Sequence, residues 1–397
     1  MNKVAVVGQG YVGLPLSMEI CRAGFTVYGI DVDTLKIDQL NLGVSHISDV
    51  SQISLQDAIK NHQYVATDDF EVIKECDVVL ICVPTPLEKE TKLPKLTSLR
   101  QAVKSIGQNL QAKTLVVLES TVATGTTNQL VLDKLIAESK LNATEFYLAF
   151  SPERIDPNNS KWTLKNTPKI VSGMNKSSTK KALEFYSKFI NNIVEVSSIE
   201  VAETAKLLEN SFRLINISFI NELALFCNKL GIDINEVVQA AASKPYGFMP
   251  FYPSLGVGGH CIPVDPIYLS EKAKEVGSAI TMIARAEQIN IEIPTYYVGR
   301  AEEKIGGVKG KRIIVLGLAY KPNISDTRES PAESLIVGLR NLGAIVAWHD
   351  DLVGEWNGEK SVDLCTNYDL AILATPHDYF DLSKLGNVPI LNTRGSL

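Results

Sequence analysis

Short β-branched runs alternate with amphipathic stretches from the first residues of the chain. Val4 to Val7, Leu14 to Ala23 and Thr26 to Ile30 read as strand, helix and strand, the pattern of a parallel sheet with right-handed crossovers. Further strands are predicted at Asp77 to Val83, Thr114 to Glu119 and Phe146 to Phe150, each closing on polar or Pro-containing residues. Their carboxyl ends should line one crevice, the usual ligand site of an open α/β sheet. From about Glu200 to Leu230 the pattern becomes one long apolar-rich helix without Gly or Pro, stopped at Gly231. At 1.5 Å per residue it would span roughly 45 Å, enough to join two domains or to pair with a copy of itself. A second strand-rich region opens at Lys311 to Gly317 and repeats the order of the first. Val346 to Asp350 resembles Val27 to Asp31, and Tyr368 to Leu373 resembles Cys76 to Ile81. The glycine-to-acid spacing differs between the copies, which leaves open whether the second binds a different ligand or none.

Composition narrows this picture. A chain of 397 residues, 45% hydrophobic and 21% charged, holds apolar material for two or three cores. With 39 Lys and Arg against 45 Asp and Glu the net charge is -6, so no global basic field exists for nucleic acid or an anionic membrane. Any phosphate must be met locally. Met1-Asn2-Lys3 runs straight into the first strand without a signal-peptide pattern, and no apolar run has bilayer length. The six cysteines lie far apart, against a disulfide framework or a zinc site, so a reducing cytoplasm is the expected compartment.

Gly8-Gln9-Gly10-Tyr11-Val12-Gly13 fits G-x-G-x-x-G between a predicted strand and a predicted helix. Its glycines allow a tight turn and close approach of backbone to a pyrophosphate at the helix N-terminus. Asp31 closes the second strand where a ribose 2′-hydroxyl would bind, which favours NAD over NADP; Lys36 nearby weakens that preference. Pro84 and Thr85, after the strand ending at Val83, and Ser120 and Thr121, after Glu119, suit the nicotinamide half of the cofactor. A Pro-stiffened turn or a Ser/Thr helix cap explains either pair equally well.

Four other places carry candidate chemistry. Glu153 and Arg154 follow the strand ending at Phe150, as a base beside an anion-binding guanidinium or as a surface ion pair. Lys206, Asn210 and Arg213 share one face of the long helix, where they need a polar ligand if buried and nothing if exposed. Gly256-Val257-Gly258-Gly259-His260-Cys261 leads a thiol to the start of a helix, with Asp265 one turn on; of the six cysteines only Cys261 has this setting. A nucleophile is the better reading than an inert buried thiol. Finally, Leu318 to Asn323 with Lys321, and Asp326-Thr327-Arg328-Glu329, place cations at the crevice of the second α/β unit, before a helix capped by Ser330 and opened by Pro331.

A thiol is superfluous for alcohol-to-ketone oxidation, but an alcohol taken to an acid needs one, because the aldehyde must become a hydride donor again. Along nearly its whole length the chain resembles the UDP-glucose/GDP-mannose (nucleotide-sugar) dehydrogenase family. The likeness rests on Gly8 to Gly13, Val83 to Pro86, Glu119 to Thr121, Pro152 to Arg154, Lys206 to Asn210, Gly258 to Cys261 with Asp265, and Lys321 with Asp326 to Ser330. It implies an α/β protein with two Rossmann-like parallel-sheet domains joined by a long central helix and helical domain: residues 1–195 for NAD, 196–300 for dimerisation and substrate, 301–397 for the UDP-sugar. It implies a four-electron oxidation of sugar C6 by two NAD, without metal, in a homodimer formed through the central helix.

The resemblance further implies that Lys206 and Asp265, with a bound water, assist removal of the alcohol proton as the first hydride leaves; that Cys261 forms a thiohemiacetal and then a thioester; that Lys206 and Asn210 stabilise oxyanions; and that Thr121, Glu153 and Asp265 position the hydrolytic water. It assigns NAD to Gly8, Gly10, Tyr11, Val12, Gly13, Asp31, Lys36, Pro84, Thr85, Ser120, Thr121 and Arg328. The UDP-sugar falls to Glu153, Arg154, Lys206, Asn210, Arg213, Phe251, Tyr252, Gly256, Gly258, Tyr320 and Lys321. His260, Arg154 and the run Arg328 to Ala332 resemble the UDP-N-acetylhexosamine branch more than the UDP-glucose branch; the stretches Ser151 to Asn159 and Gly247 to Pro253 are similar to UDP-N-acetylglucosamine 6-dehydrogenases, and UDP-N-acetylmannosamine enzymes tend to carry Arg where this chain has Gly247. Pro253-Ser254-Leu255-Gly256 departs from the usual Pro-Gly-Pro-Gly. The rival readings are a single-oxidation β-hydroxyacid-type dehydrogenase, which leaves Cys261 without a role, and a silent NAD- or UDP-sugar-binding regulator.

Overall fold

The computed structural model describes residues 2–47, 49–88, 90–156, 159 and 161–395. The chain divides into two compact units, residues 1–208 and 209–397.

The first unit holds β1 (Lys3–Val7), β2 (Thr26–Ile30), β3 (Tyr64–Thr67), β4 (Val78–Ile81), β5 (Leu115–Leu118), β6 (Tyr147–Phe150), β7 (Lys169–Gly173) and β8 (Ile193–Glu195) in one sheet. Their order is β3-β2-β1-β4-β5-β6-β7-β8. Helices α1 (Gly13–Arg22), α2 (Thr34–Asn41), α3 (Gln52–Lys60), α4 (Thr97–Asn109), α5 (Asp133–Ser139) and α6 (Lys176–Tyr186) cover it. Side chains alternate along β1: Val4 and Val6 enter one core, Ala5 and Val7 the other, so both faces are buried. The sheet is not wholly parallel as expected, because β7 pairs with β6 antiparallel. Residues 151–168 contain no helix among the described residues, and a parallel return needs a crossover. That connection is where Glu153 and Arg154 sit.

Helix α7 (Ile199–Leu230) begins in the first unit and ends in the second, stopping at Gly231 with φ 68°. The second unit continues with α8 (Ile234–Ala242), α9 (Asp265–Glu275), α10 (Thr281–Ile305), β9 (Arg312–Leu316), α11 (Pro331–Asn341), β10 (Ile345–His349), the hairpin β11 (Glu355–Trp356) and β12 (Glu359–Lys360), β13 (Leu370–Leu373) and β14 (Ile390–Asn392). Its parallel sheet runs β10-β9-β13-β14, matching β2-β1-β4-β5 of the first. Ile313 and Val315 face one core, Ile314 and Leu316 the other.

Candidate active site

The turn after β1 is built by contact. Gly8 has φ 94° and donates to Ile30 O at 2.7 Å; a Cβ there would lie 2.6 Å from Cys82 O. A Cβ on Gly13 would lie 1.8 Å from Gly8 O, so α1 can start against the turn only with glycine. Gly10 differs: nothing lies within 4 Å of its Cβ position, which leaves the backbone open to a pyrophosphate at the helix start. Val12 caps α1 and Tyr11 packs on the adjoining core. Gln9, fully buried, donates to Val6 O at 2.8 Å and accepts from Tyr64 Oη at 2.8 Å and Ser17 Oγ at 3.2 Å. Its own N–H reaches Asp31 Oδ2 at 2.8 Å. Burial works to raise the Asp31 carboxyl, but the amides of Gln9 and Asp33 and the Lys36 ammonium outweigh it and hold it low. Lys36 Nζ lies 3.0 Å from Asp31 Oδ2, so the cation that weakened the sequence preference is paired with the acid.

At the ends of β4 and β5, Ser120 Oγ donates to Val83 O at 2.7 Å and to Ile81 O at 3.2 Å, while Thr85 Oγ1 donates to Thr121 O at 2.8 Å. These hydroxyls tie the two strand ends together rather than capping a helix; Pro84 is exposed beside them. Just behind lies a cluster that only Glu153 marked in the sequence. Lys169 Nζ sits 2.6 Å from Glu119 Oε2 and 3.8 Å from Glu153 Oε2, and Tyr186 Oη donates to Glu119 Oε1. Burial opposes the Lys169 ammonium, but Glu119 and Glu153 overcome it and raise its pKa, so it stays charged. Arg154 Nη1 donates to Pro168 O at 2.8 Å, which makes it a strut of this loop. Pro157 and Asn158, within the Ser151 to Asn159 stretch, lie outside the described residues. A lysine opening the buried strand Ile170–Val171 was the one signal that could have exposed this cluster beforehand.

On α7 the polar face divides. Glu203 accepts from Thr127 N at 2.9 Å and Thr127 Oγ1 at 2.6 Å, fixing the helix against the segment after β5. Lys206 is 9% exposed and its ammonium has no partner among the described residues. Asn210 is buried and donates to Asp265 Oδ2 at 2.5 Å. Arg213 is exposed.

In the second unit the thiol loop is held from several sides. Asn290 of α10, not anticipated, accepts from Val257 N at 2.7 Å and donates to Val257 O at 3.2 Å. Gly256, with φ 133°, would place a Cβ 2.9 Å from Asn290 Oδ1. A Cβ on Gly258 would meet Tyr320 Cβ at 2.6 Å and Glu329 O at 2.7 Å, and one on Gly259 would meet the Tyr320 ring at 2.9 Å. Tyr320 is therefore the floor of the glycine run. Gly259 N–H donates to Arg328 O at 2.9 Å, and the Arg328 guanidinium grips the Asp326 carboxylate with Nε at 2.9 and 3.0 Å. Cys261 is exposed, and its carbonyl accepts from Asp265 N at 2.8 Å, so it stands one turn before α9 with Asp265 buried below. Burial pushes Cys21 and Cys76 up to about 12 and Cys82 well above its ordinary value, leaving those thiols neutral. Cys227 is buried and Cys365 half-buried. Lys321 is half-buried, Tyr252 exposed, and Phe251 meets the Phe212 ring edge-on at 5.7 Å.

The internal repeat extends to hydrogen bonds. Gly317, φ 85°, donates to His349 O at 2.9 Å and would drive a Cβ to 2.0 Å from Thr375 O, as Gly8 would against Cys82. Asp350 takes the place of Asp31, accepting Leu318 N–H at 2.8 Å. Its carboxylate is otherwise spent on Ala319 N, His377 Nε2, Tyr379 Oη, Leu352 N and Val353 N. With Ala319 where the first copy has Gly10, this unit lacks the open turn of a dinucleotide site.

Comparison with known proteins agrees across the chain. Models of the UDP-glucose/GDP-mannose dehydrogenase family match over residues 2–190 (NAD binding domain), 200–292 (central domain) and 314–394 (UDP binding domain). A UDP-N-acetyl-D-glucosamine 6-dehydrogenase of Pseudomonas aeruginosa is 35% identical over 96% of this chain and 88% of its own. A UDP-N-acetyl-D-mannosamine dehydrogenase of Pyrococcus horikoshii is 33% identical over 95% and 90%. The solved structure of a UDP-D-ManNAc dehydrogenase from Pyrococcus horikoshii superposes with a TM-score of 0.90 at 30% identity, covering 99% of this chain and 95% of that one. With its glycine turn, its paired acid and all three domain models in agreement, the chain belongs to the UDP-glucose/GDP-mannose dehydrogenase family and is an NAD-dependent oxidoreductase acting on a UDP-sugar.

Proposed function

We propose that this enzyme oxidises C6 of a UDP-N-acetylhexosamine, UDP-N-acetylglucosamine foremost, from alcohol to carboxylate. The observation that carries the reading is Lys206, whose side chain is largely covered on α7 and whose ammonium has no partner among the described residues, four residues before an Asn210 that is bonded to the Asp265 beneath Cys261. A cation without a counter-ion is free to meet the negative charge a ligand supplies. NAD, when bound at Gly8 to Gly13 and Asp31, supplies the acceptor for two hydrides per sugar.

Asp265, through a water and assisted by the Lys206 ammonium, receives the alcohol proton as the first hydride leaves C6, giving the aldehyde. Cys261 Sγ then adds to the C6 aldehyde, forming the carbon–sulfur bond of a thiohemiacetal, and the Lys206 ammonium and Asn210 amide hold the oxyanion. Loss of the second hydride leaves a thioester on Cys261. Glu153, with Thr121 and Asp265, directs water to its carbon; the carbon–sulfur bond breaks and the thiol is restored. Lys321 and Tyr320 take the UDP-sugar and Arg328 the cofactor, while Tyr320 and the Arg328 carbonyl also hold Gly258 and Gly259 of the thiol loop. The parts divide as 1–195 for NAD, 196–300 for chemistry and pairing, and 301–397 for the UDP-sugar.

The N-acetylglucosamine preference rests on the likeness at Ser151 to Asn159 and Gly247 to Pro253 and on the 35% identical Pseudomonas aeruginosa relative. Rates of NADH formation with UDP-N-acetylglucosamine, UDP-N-acetylmannosamine and UDP-glucose test it: the first should lead. A clear preference for UDP-glucose would overturn it. No helix among the described residues is long and apolar enough to cross a membrane, which is compatible with a cytoplasmic enzyme.

Val201, Leu208, Phe212, Phe219, Phe226 and Leu230 are all exposed on α7. Their intervals of seven and four residues keep them within roughly 40° of arc at 3.6 residues per turn, on the side away from Lys206 and Asn210. A continuous stripe of this kind fits a symmetric pairing with a second copy. Phe219→Glu with Phe226→Glu is expected to convert a dimer to a monomer in sedimentation while NAD affinity is kept; an unchanged sedimentation coefficient would refute the pairing.

A further inference from the structure

The buried cluster behind the cofactor strands has a member that the chemistry above does not use. Lys169 is fixed from three directions: Glu119 Oε2 at 2.6 Å, Pro152 O at 3.4 Å, and the Tyr186 ring, whose centroid lies 5.2 Å away and whose hydroxyl holds the other Glu119 oxygen. Its side chain is 6% exposed and that of Glu119 fully buried. Maintaining a lysine and a carboxylate there is costly, and a well-packed apolar pair would serve stability as well. The position of a third group explains the arrangement.

Glu153 Oε1 accepts the backbone N–H of Arg154 at 2.6 Å and of Ile155 at 2.5 Å, which fixes the carboxylate plane. Glu153 Oε2 is buried and receives no hydrogen bond among the described residues. Lys169 Nζ stands 3.8 Å from it, too far to donate a hydrogen bond but close enough to pair with it as an ion. The ammonium thus lies beside the carboxylate without covering the oxygen that must take a proton. Glu153, Arg154, Thr167 and Lys169 line a small recess there. The other ionisable groups around it are Glu119, Tyr186 and Cys82; the Cys82 thiol is neutral and adds no charge.

We propose that Lys169, held by Glu119 and Tyr186, is the positioning residue that holds Glu153 in place with its Oε2 uncommitted for the hydrolytic step; this rests on the four-electron reading above. In that step the water oxygen bonds to the thioester carbon, one water proton passes to Glu153, the carbon–sulfur bond breaks, and that proton returns to the Cys261 sulfur. No oxidant or reductant is consumed. Lys169 touches none of the reacting atoms.

The test is rapid-mixing kinetics of Lys169→Met with excess NAD and the UDP-sugar selected by the substrate panel. Both hydride steps precede hydrolysis, so the variant should release a burst of two NADH per active site at near wild-type rate. It should then turn over at least ~10-fold more slowly, as loss of a well-placed general base demands, with KM falling alongside kcat. A purely structural lysine would instead weaken NAD binding and slow the burst itself. Because Lys169→Met strands two buried carboxylates, Glu119→Leu with Lys169→Met is run beside it; removing the buried pair together spares the fold, and the same burst is expected. Absence of the burst, unchanged steady-state turnover, or failure of both variants to fold would each overturn the positioning role. Wild-type enzyme yielding a single NADH per sugar would sink the four-electron reading instead.

Discussion

Replacing Cys261 with alanine is expected to abolish acid formation, lowering carboxylate production by at least ~10^3-fold, while the protein remains folded and binds NAD. The thiol is exposed at the turn before α9, and the loop around it is held by backbone and glycine contacts that do not involve the sulfur: Gly259 N–H on Arg328 O, Val257 on Asn290, and Asp265 N–H on the Cys261 carbonyl. Truncation there changes stability by no more than about 0.5 kcal/mol. What disappears is the thiol addition that turns the C6 aldehyde into a tetrahedral adduct whose carbon–hydrogen bond can leave as hydride beside an oxyanion. Cys261→Ser retains the shape but offers a far weaker nucleophile, so it should resemble alanine rather than wild type. Thermal melting, NAD titration and carboxylate detection by mass spectrometry check the three parts. Acid production at the wild-type rate by the alanine variant would remove the covalent step from the mechanism.

Lys206→Met should separate stability from activity in opposite directions. The side chain is largely covered on α7 and its ammonium has no partner among the described residues, so the substitution keeps the apolar stem and breaks no ion pair. The melting temperature is expected to stay the same or rise. Activity is expected to fall by about 10^2- to 10^3-fold, the usual cost of deleting one oxyanion donor from a preorganised site. Both hydride steps should slow, because oxyanion charge develops at the alcohol and again at the thiohemiacetal. Asn210→Ala is a weaker case, since that amide also holds Asp265 at 2.5 Å and its loss mixes geometry with charge. A Lys206→Met protein that melts lower and keeps its turnover would assign the lysine to structure.

Both α/β units were legible because short continuous apolar runs end at glycine turns: Val4 to Gly8 and Ile313 to Gly317 occupy equivalent places down to the amide that reaches Asp31 or Asp350. The long helix was legible because no Gly or Pro interrupts it before Gly231. The thiol loop was legible from the glycines around Cys261. The reversal at β7 was not, since strand direction depends on the connection, and residues 151–168 carry no periodic signal. Nor was α10, which keeps Pro294 inside it and supplies the Asn290 clamp. The Glu119–Lys169–Glu153 cluster joins residues from three separate segments, and Glu119 and Lys169 look like ordinary strand-end charges until the sheet brings them to 2.6 Å. Tyr320 was read for the ligand, but its ring also supports Gly259, a role that depends on a fold contact and not on a motif.

The central claim is that one active site removes four electrons from one carbon. Wild-type enzyme supplied with excess NAD and a limiting amount of UDP-N-acetylglucosamine, run to completion, gives the direct answer when NADH and uronic acid are counted in the same sample. Two NADH for each carboxylate formed, with no aldehyde released, is the predicted result. One NADH per sugar consumed, with an aldehyde or ketone as the product, would contradict it.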